Sequence, residues 1–581
     1  MRIDSVRLKG FRNFRDAFIN FTEKSLIIGY NDVGKTNLIH ALRLLLDRTL
    51  PESALDPIDS DFFVHQPTDS LRIELHLTDI VEDCLLSRFG KYISNGGDLY
   101  LAYAASRDPQ SGKKSYEIEA GPADAMETLT GRIYLKYLNL RVVEGRRDLS
   151  RFIRKERRAL LEDAKDSRTQ AEVETDAQLL REVEAQLRNV NSSIGKLKYV
   201  SAATDSLNDE LTKLSYRHAA QQLVFGTAAT DPANFIEDLE LVSRVADKTI
   251  GVGGDGRHNQ IQLALWTARN QVAAGDPNDP DEVSVFCIEE PEAHLHPHQQ
   301  RKLAAYLAQK LTSQVILTSH SPQIAAEFSP NSLIRLYEKD SETIAAAAGF
   351  SSLIQSEVIQ FGYRMSILPA EAFFSSAVLL VEGPSELLFY RALSRAIDID
   401  LDRLNVSIVS VDGIGFDVYC RLLTALSIPF VVRTDNDIFK VPRTEGFRYA
   451  GVIRGIEIGK AYRRDFDPTQ VGDPNLLSGF PDRNQIPENS QTVALAVRVL
   501  LAQHGIFIAQ VDLEHDLYAA QPDAVLAYTG ELDANSAIES MKAAKANFMF
   551  GFLQHHAGSL SELGGADLAA PLTYCKQLVL G

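Results

Sequence analysis

Cysteine is scarce in this sequence, and its distribution excludes two kinds of structural support. The four cysteines of the 581-residue chain are widely separated, at Cys84, Cys287, Cys420 and Cys575. None belongs to a CxxC pair or to a Cys/His cluster with zinc spacing. We therefore expect neither a disulfide framework nor a structural zinc site.

An excess of positive charge and long apolar runs are also missing. Lys and Arg total 60 against 78 Asp and Glu, a net charge of −18, so no overall cationic field exists to hold nucleic acid. Any contact with DNA must therefore be local. No 18 apolar residues run together and the first residues form no signal-peptide stretch, so we expect a cytoplasmic protein without a membrane segment.

What is present is the composition of a folded protein with several domains. Hydrophobic residues make up 45% of the chain and charged residues 24%, both close to globular averages. At about 100 to 200 residues per domain, this length predicts roughly three to five folded units.

The opening of the chain contains a phosphate-binding loop. Gly29-Tyr-Asn-Asp-Val-Gly34-Lys35-Thr36 fits GxxxxGK(S/T) and lies between a predicted strand and a predicted helix. Glycines let successive N–H groups face one anion, Lys35 reaches the β/γ-phosphates, and the Thr36 hydroxyl completes a Mg²⁺ shell. We predict that ATP with Mg²⁺ is bound by Asn31, Asp32, Gly34, Lys35, Thr36 and Asn37.

Two later strands supply the other half of such a site. The apolar run 283–288 ends in Glu289 and Glu290, where one carboxylate can hold the water shell of magnesium and the next can polarise the attacking water. The run 314–318 ends near His320, which we predict to contact the γ-phosphate. Taken alone, a histidine after a strand is more often an ordinary loop or core residue.

The region between these halves has the pattern of helices. Apolar residues recur at spacings of three and four, which predicts either an intramolecular helical hairpin or a dimerisation surface. They are Leu180, Val183, Leu187, Val190, Ile194 and Leu197, followed by Leu207, Leu211 and Leu214. The basic run 146–158 is either a phosphate-binding face or a solvated helix face.

Acidic residues follow successive predicted strands in the last third of the chain. Glu382 and Glu386 form an EGxxE element after the run 377–381, and Asp435 and Asp437 form a DxD element after the run 429–432. The carboxyl ends of parallel strands share one edge, so these acids should converge. Two carboxylates about 4 Å apart repel by roughly 4 kcal/mol at an effective dielectric of 20, and a hard cation such as Mg²⁺ or Mn²⁺ removes that conflict.

These motifs together resemble a known family. The Phe-Arg-Asn-Phe string at 11–14, the P-loop, and the strings at 289–297 and 318–322 are similar to the ABC-type ATPase heads of RecF, SMC and OLD (overcoming lysogenisation defect) proteins. EGxxE with DxD resembles the Toprim fold of topoisomerases, primases and OLD nucleases. Over nearly the whole chain the order of motifs resembles the OLD family, and most of all its class 2, the group of the Gabija nuclease subunit.

The resemblance implies an activity, partners and further site residues. It implies a nucleotide-regulated DNA nicking endonuclease of antiphage defence that uses two Mg²⁺ or Mn²⁺ ions per Toprim site. It also implies a homodimer or homotetramer, double-stranded DNA as substrate and a UvrD-like helicase as partner. By the same resemblance Asp512 and Glu514 add metal ligands, and Lys545, or in reserve Lys542, is the catalytic lysine.

The predicted fold class is α/β: an ABC-type ATPase head interrupted by a helical insert, then a Toprim domain. Its predicted parts are 1–145 and 226–368 for the two lobes of the head, 146–225 for the insert and 369–581 for Toprim. No LSGGQ signature occurs, and the segment 251–260 is the candidate for that role. The stretch 433–464, with eight basic residues among aromatic ones, is either a DNA-facing surface or a solvated loop.

Two rival functions remain at this point. One is a RecF-like, ATP-gated DNA clamp or scaffold whose Toprim site is degenerate. The other is topoisomerase or primase chemistry, which usually needs a nucleophilic tyrosine domain or a zinc module.

Overall fold

The computed structural model describes residues 1–66, 68–143, 157, 160–205, 242–245, 248–251, 282–293, 295–309, 311, 313–346, 367–412 and 415–581. Nearly all of the basic run 146–158 and of the signature-like segment 251–260 lies outside these residues. So do Leu207, Leu211, Leu214 and the predicted domain boundaries near residues 145 and 225. Residues 1–143, 283–292 and 297–581 form one compact unit, and 144–282 with 293–296 form a second.

The strands, in chain order, are β1 (Arg2–Phe11), β2 (Phe14–Asn20), β3 (Lys24–Ile28), β4 (Ser70–Thr78), β5 (Leu99–Arg107), β6 (Lys114–Gly121), β7 (Glu127–Thr128), β8 (Leu138–Val143), β9 (Val242–Val245), β10 (Lys248–Gly251), β11 (Val283–Glu289), β12 (Val315–Thr318), β13 (Leu333–Lys339), β14 (Glu342–Ala345), β15 (Ala377–Val381), β16 (Val406–Ser410), β17 (Phe430–Thr434), β18 (Ile438–Lys440), β19 (Phe447–Tyr449), β20 (Ser478–Phe480) and β21 (Ile506–Ile508).

The main α-helices in the described residues are α1 (Lys35–Leu46), α2 (Asp83–Phe89), α3 (Gln170–Gly195), α4 (Pro297–Gln309), α5 (Pro322–Ala325), α6 (Ile367–Ala372), α7 (Pro384–Ala396), α8 (Leu401–Leu404), α9 (Phe416–Ala425), α10 (Ala450–Tyr462), α11 (Glu488–Gln503), α12 (Leu513–Ala520), α13 (Pro522–Thr529), α14 (Ala534–His556) and α15 (Ala570–Leu580). None of them is long and apolar enough to cross a bilayer.

The head is built from two six-stranded sheets. One is antiparallel in the order β2-β1-β4-β5-β6-β7, and the other has the order β14-β13-β3-β12-β11-β8 with β13, β3, β12, β11 and β8 parallel. The runs that form β3, β11 and β12 are mostly apolar, as expected for strands covered on both faces. Leu38, Leu42 and Leu45 of α1 pack into the same core. This order brings the ends of β3, β12 and β11 to one edge.

The Toprim domain contains a four-stranded parallel sheet in the order β16-β15-β17-β21. Its central strand β15 is fully buried, and α7, α14 and α15 cover it with residues such as Phe389, Phe552 and Leu572. A small antiparallel sheet, β18-β19-β20, lies in the same half of the chain. Because β15, β17 and β21 are parallel neighbours, the residues that follow them share an edge.

The second compact unit contains α3 and the antiparallel pair β9-β10. Thr169 caps α3 and exchanges hydrogen bonds with Glu172, a capping box that starts the helix. The predicted apolar stripe of this helix stays half-buried, and Val190 is 52% exposed. The helical prediction is correct, while both interpretations of the stripe remain open.

Candidate nucleotide and metal sites

The P-loop lies at the carboxyl end of β3 and leads into α1. The Lys35 ammonium donates hydrogen bonds to the carbonyls of Gly29 (2.9 Å) and Tyr30 (2.6 Å). Lys35 is buried, and burial lowers its pKa to about 8 even though Glu290 and Asp32 favour the charged form. A buried ammonium held by carbonyls gains strongly from an anion, so the loop is suited to bind phosphate.

The loop is held by Asn13, a residue that sequence reasoning did not assign to the site. Its Nδ2 donates to the Val33 carbonyl (2.9 Å) and lies 2.7 Å from the Thr343 hydroxyl. Gly34 has φ 107°, and a Cβ at that position would lie 2.2 Å from the Asn13 amide. Glycine is therefore required at 34 both for its backbone conformation and for the approach of Asn13.

A second layer of polar contacts supports Asn13. The Asn37 amide donates to Asn13 Oδ1 (2.8 Å), and the Arg12 guanidinium donates to Asn37 Oδ1 (2.9 Å) and to Asp61 (3.0 Å). Asn37, predicted as an ATP contact, thus also braces the loop. Three other residues predicted to contact ATP have exposed side chains: Asn31, Asp32 and Thr36.

The carboxylates of the head lie at the same sheet edge. Glu289 ends β11 and Glu290 follows it with φ 44°, a left-handed conformation that is rare for a non-glycine residue. His320, which follows β12, has its Nε2 3.4 Å from Glu290 Oε1. Glu290 is also near the P-loop lysine, because its charge acts to raise the pKa of Lys35.

Glu292 is a partly buried acid that sequence reasoning left without a role. Its Oε1 accepts hydrogen bonds from the Ser319 hydroxyl (2.8 Å) and the His320 N–H (2.6 Å), while Oε2 is buried and has no hydrogen-bond partner among the described residues. Burial raises its pKa. The contact fixes the backbone at His320, so Glu292 positions the histidine.

The Toprim acids gather where the parallel strands end. Glu382 follows β15, Asp435 follows β17, and Asp512 caps the helix after β21. Glu386 points from the first turn of α7 and is only 9% exposed. Strand β21 ends at Ile508, and Glu514 lies in the first turn of α12.

Glu382 is held by three donors. Its Oε1 accepts from the Thr434 hydroxyl, from the Asp435 N–H (2.9 Å) and from Arg454 (2.6 Å). The same guanidinium lies 3.6 Å from Asp437 Oδ2. Arg454 thus supplies positive charge between the two predicted acidic motifs, a role that no sequence motif indicates.

Burial and mutual repulsion disfavour ionisation in this cluster. Burial raises the pKa of Glu386 to about 7, with Glu514 and Glu382 adding repulsion, and it raises the pKa of Asp435 to about 8, with Glu382 and Glu386 adding repulsion. The pKa of Asp437 is raised for the same reasons, burial first. The atoms that these acids offer to a metal are carboxylate oxygens, which fit Mg²⁺ or Mn²⁺.

Two of the carboxylates predicted to bind metal contact basic side chains in this structure. Within the part of the chain described, no three His, Cys, Asp or Glu side chains are close enough together to form a ready cage for an ion. Arg454 holds Glu382, and the Lys542 ammonium holds Asp512 Oδ2 at 2.7 Å.

The two predicted lysines differ in their local structure. Burial alone would raise the pKa of Asp512, but hydrogen bonds from Lys542 and His515 lower it overall. Lys545 has φ 39° and ψ −112° and breaks the regular geometry of α14. Its charge lowers the pKa of Glu514, although burial raises that pKa overall. Both lysines therefore face the acidic edge.

Part of the stretch 433–464 is internal and does not face DNA. Arg433 forms a buried ion pair with Asp516 at 2.5 Å, and Arg463 donates to the carbonyls of Phe430 (2.7 Å) and His504 (2.8 Å). Phe439, by contrast, is 52% exposed. The count of basic residues therefore overstates the positive surface.

Family models match both halves of the chain. A Toprim domain described as "Overcoming lysogenization defect protein-like" matches residues 373–437, which include β15, β17 and the acids after them. An "AAA ATPase domain" matches 1–128, and an "AAA domain, putative AbiEii toxin, Type IV TA system" matches 260–326. Endonuclease GajA of Bacillus cereus strain VD045 is 22% identical over 539 residues, 90% of each chain.

The OLD nuclease of Thermus scotoductus is 22% identical over 459 residues, 75% of this chain and 82% of that protein. The chain is similar to the OLD nucleases over most of its length. The predicted fold class, an ATPase head with a C-terminal Toprim domain, is confirmed. A solved Smc head domain from Pyrococcus furiosus aligns with 62% of this chain and 99% of its own length, at 14% identity and a TM-score of 0.35.

Proposed function

We propose that this OLD relative is a nucleotide-regulated, divalent-metal-dependent endonuclease that nicks double-stranded DNA. The observation that carries the proposal is the convergence of partly buried carboxylates after β15, β17 and β21. The pKa values of Glu386 and Asp435 are raised because burial and neighbouring carboxylates disfavour their negative charge, and a divalent cation would compensate that charge. The nuclease names of GajA and the Thermus scotoductus relative support the same chemistry.

The acidic residues would hold two ions, and basic residues would act around them. Bound divalent ions would supply a water of lowered pKa and a positive field at the phosphate. We propose as ligands Glu382, Glu386, Asp435, Asp437, Asp512 and Glu514. Lys545, with its strained backbone, is the proposed partner of the phosphate, because strain of this kind is kept where function needs it. Lys542 is proposed to orient Asp512.

The head is proposed to bind ATP with Mg²⁺ and to regulate cleavage. Lys35 would hold the β/γ-phosphates, Thr36 and Glu289 the magnesium shell, and Glu290 the attacking water. His320 lies 3.4 Å from Glu290 and would sense the γ-phosphate. The Asn13 network keeps the loop in a conformation ready for phosphate.

Assembly and context are proposed on the resemblance to the Gabija nuclease subunit. We propose a cytoplasmic protein of antiphage defence that works as a homodimer or homotetramer with a UvrD-like helicase. The half-exposed apolar stripe of α3 supports a role of the insert in self-association. The predicted domain boundaries belong to the same proposal.

A plasmid assay tests the proposed function. Purified full-length protein should convert supercoiled plasmid to the nicked form with Mg²⁺ or Mn²⁺, and EDTA should abolish the conversion. ATP should change the rate. If the plasmid stays supercoiled under every combination of metal and nucleotide, the nuclease proposal fails, and nucleotide-dependent DNA binding without cleavage would favour the clamp.

Metal affinity is expected to rise with pH from about 6 to about 8. Glu386 holds its proton below a pKa of about 7 and Asp435 below about 8, so a cation that binds both must displace up to two protons. Affinity should then increase by up to about tenfold per pH unit for each proton released. Calorimetric titration with Mn²⁺ at several pH values, without nucleotide, measures this.

The stability of the metal-free protein should change in the opposite direction. Both carboxyls have folded-state pKa values above those of the unfolded chain, so their ionisation favours unfolding as pH rises from about 4 to about 8.

Glu386→Gln removes one of the two protons and should reduce the pH slope of metal affinity. A slope of zero in the unsubstituted protein would contradict the assignment of these ligands.

A further inference from the structure

A buried arginine of the head contacts the Toprim domain. Arg335 on β13 is 4% exposed, and its guanidinium donates to the carbonyls of Ser427 (3.0 Å), Leu426 (3.1 Å) and Ser375 (3.3 Å). Burial lowers its pKa. The guanidinium also lies 5.8 Å from the centre of the Tyr30 ring, which provides a cation–π contact.

Tyr30 connects the same place to the P-loop. Its hydroxyl donates to the Ser376 hydroxyl (2.8 Å), and its carbonyl accepts from the Lys35 ammonium (2.6 Å). β13 and β3 are parallel neighbours in which Arg335 is opposite Ile28, two residues before Tyr30. One residue of the nucleotide loop therefore touches both the phosphate-binding lysine and the Toprim domain.

The contacted Toprim residues precede the two strands that carry the acids. Ser375 and Ser376 come directly before β15, and Ser427 comes three residues before β17. The strands pair in parallel, with Val378 opposite Phe430. β15 and β17 have five residues each and span about 17 Å. Because a strand moves as a rigid element, a displacement at its start also moves its end.

We propose that Tyr30 and Arg335 are positioning residues that transmit nucleotide binding from the P-loop to the metal-binding ends of β15 and β17. This inference rests on the proposed function, which it deepens by naming the route of regulation. A bound phosphate draws Lys35 from the Tyr30 carbonyl, which frees Tyr30 to move. The Tyr30–Ser376 hydrogen bond and the Arg335 contacts carry that movement to Glu382 and Asp435.

Ser376→Ala tests the route without touching either site. It removes the Toprim partner of Tyr30 and should leave both ATP affinity and nucleotide-free cleavage at wild-type values. The effect of ATP on the cleavage rate should shrink by at least about threefold, the coupling that one net hydrogen bond supports. A full ATP effect in Ser376→Ala would overturn the proposal.

Ser375→Ala is the matched control. The Ser375 hydroxyl bonds to Ser407 within the Toprim domain (2.7 Å), while its carbonyl, which Arg335 contacts, is unchanged by the substitution. It should retain the whole ATP effect. An equal loss in both variants would mean that the response depends on general packing at this boundary, and would overturn the specific role of Tyr30.

Hydrogen exchange separates this inference from the proposed function. In the wild type, a non-hydrolysable ATP analogue should change amide exchange in peptides covering β15 and β17, and Ser376→Ala should lose that change. The result does not depend on cleavage, so an inactive wild type that still shows it would leave the route standing while the nuclease proposal fails. Unchanged exchange in the wild type would overturn the route itself.

Discussion

Glu382→Gln should lower metal-dependent plasmid cleavage by more than about 100-fold and leave ATP affinity unchanged. Glutamine keeps an oxygen that can accept from the Asp435 N–H and from Arg454, so the local fold is retained while the negative charge is lost. Loss of an outer partner at a metal site costs about 10- to 100-fold, so loss of a ligand should cost more. Cleavage kinetics and equilibrium ATP binding measure the two effects.

Asp412→Asn provides a matched control for this change. Asp412 follows β16 at the same edge of the sheet, as Glu382 follows β15, and its carboxylate bonds to the Ser410 hydroxyl (2.5 Å). It should cleave like the wild type. A Glu382→Gln protein with full activity would show that this carboxylate binds no essential ion, and a loss of ATP affinity as well would show that the two sites are not independent.

Strand-end motifs made the outline of both sites predictable from sequence. Apolar runs that end in Gly29, Glu289 or Glu382 identify strands whose carboxyl ends carry chemistry, and a parallel sheet brings such ends to one edge. Each motif is local, because loop, lysine and helix are contiguous and the two acids of EGxxE lie four residues apart. The order of β15 and β17 as neighbours follows the same logic.

The groups that complete the sites come from distant positions and lack such a signal. Arg454 reaches Glu382 across 72 residues, and Asn13 meets Thr343 across 330. Their partners depend on how helices and sheets pack, which periodicity does not encode. The same limit explains Arg433, which composition placed in a stretch predicted to be either a DNA-facing surface or a solvated loop, although it pairs with Asp516 in the interior.

Lys35→Met should weaken ATP binding by about 10- to 150-fold without lowering thermal stability. A hydrogen bond from a charged group to phosphate contributes about 1.5 to 3 kcal/mol, which sets that range. Methionine keeps the apolar stem but removes the ammonium, whose burial lowers its pKa to about 8 and makes its charge costly in the nucleotide-free protein. Titration with a fluorescent ATP analogue and a thermal melt measure both quantities.

Lys24→Met is the control because Lys24 begins β3, the strand that leads into the P-loop. Its ammonium also donates to carbonyls, those of Leu311 (2.7 Å) and Ser313 (2.5 Å), and burial also lowers its pKa. ATP affinity should be unchanged in this variant. At ATP concentrations that saturate only the wild type, cleavage by Lys35→Met should become indifferent to ATP, whereas Ser376→Ala should become less responsive with binding intact. If Lys35→Met still responded to ATP at concentrations it cannot bind, regulation would have to act from a site other than the P-loop.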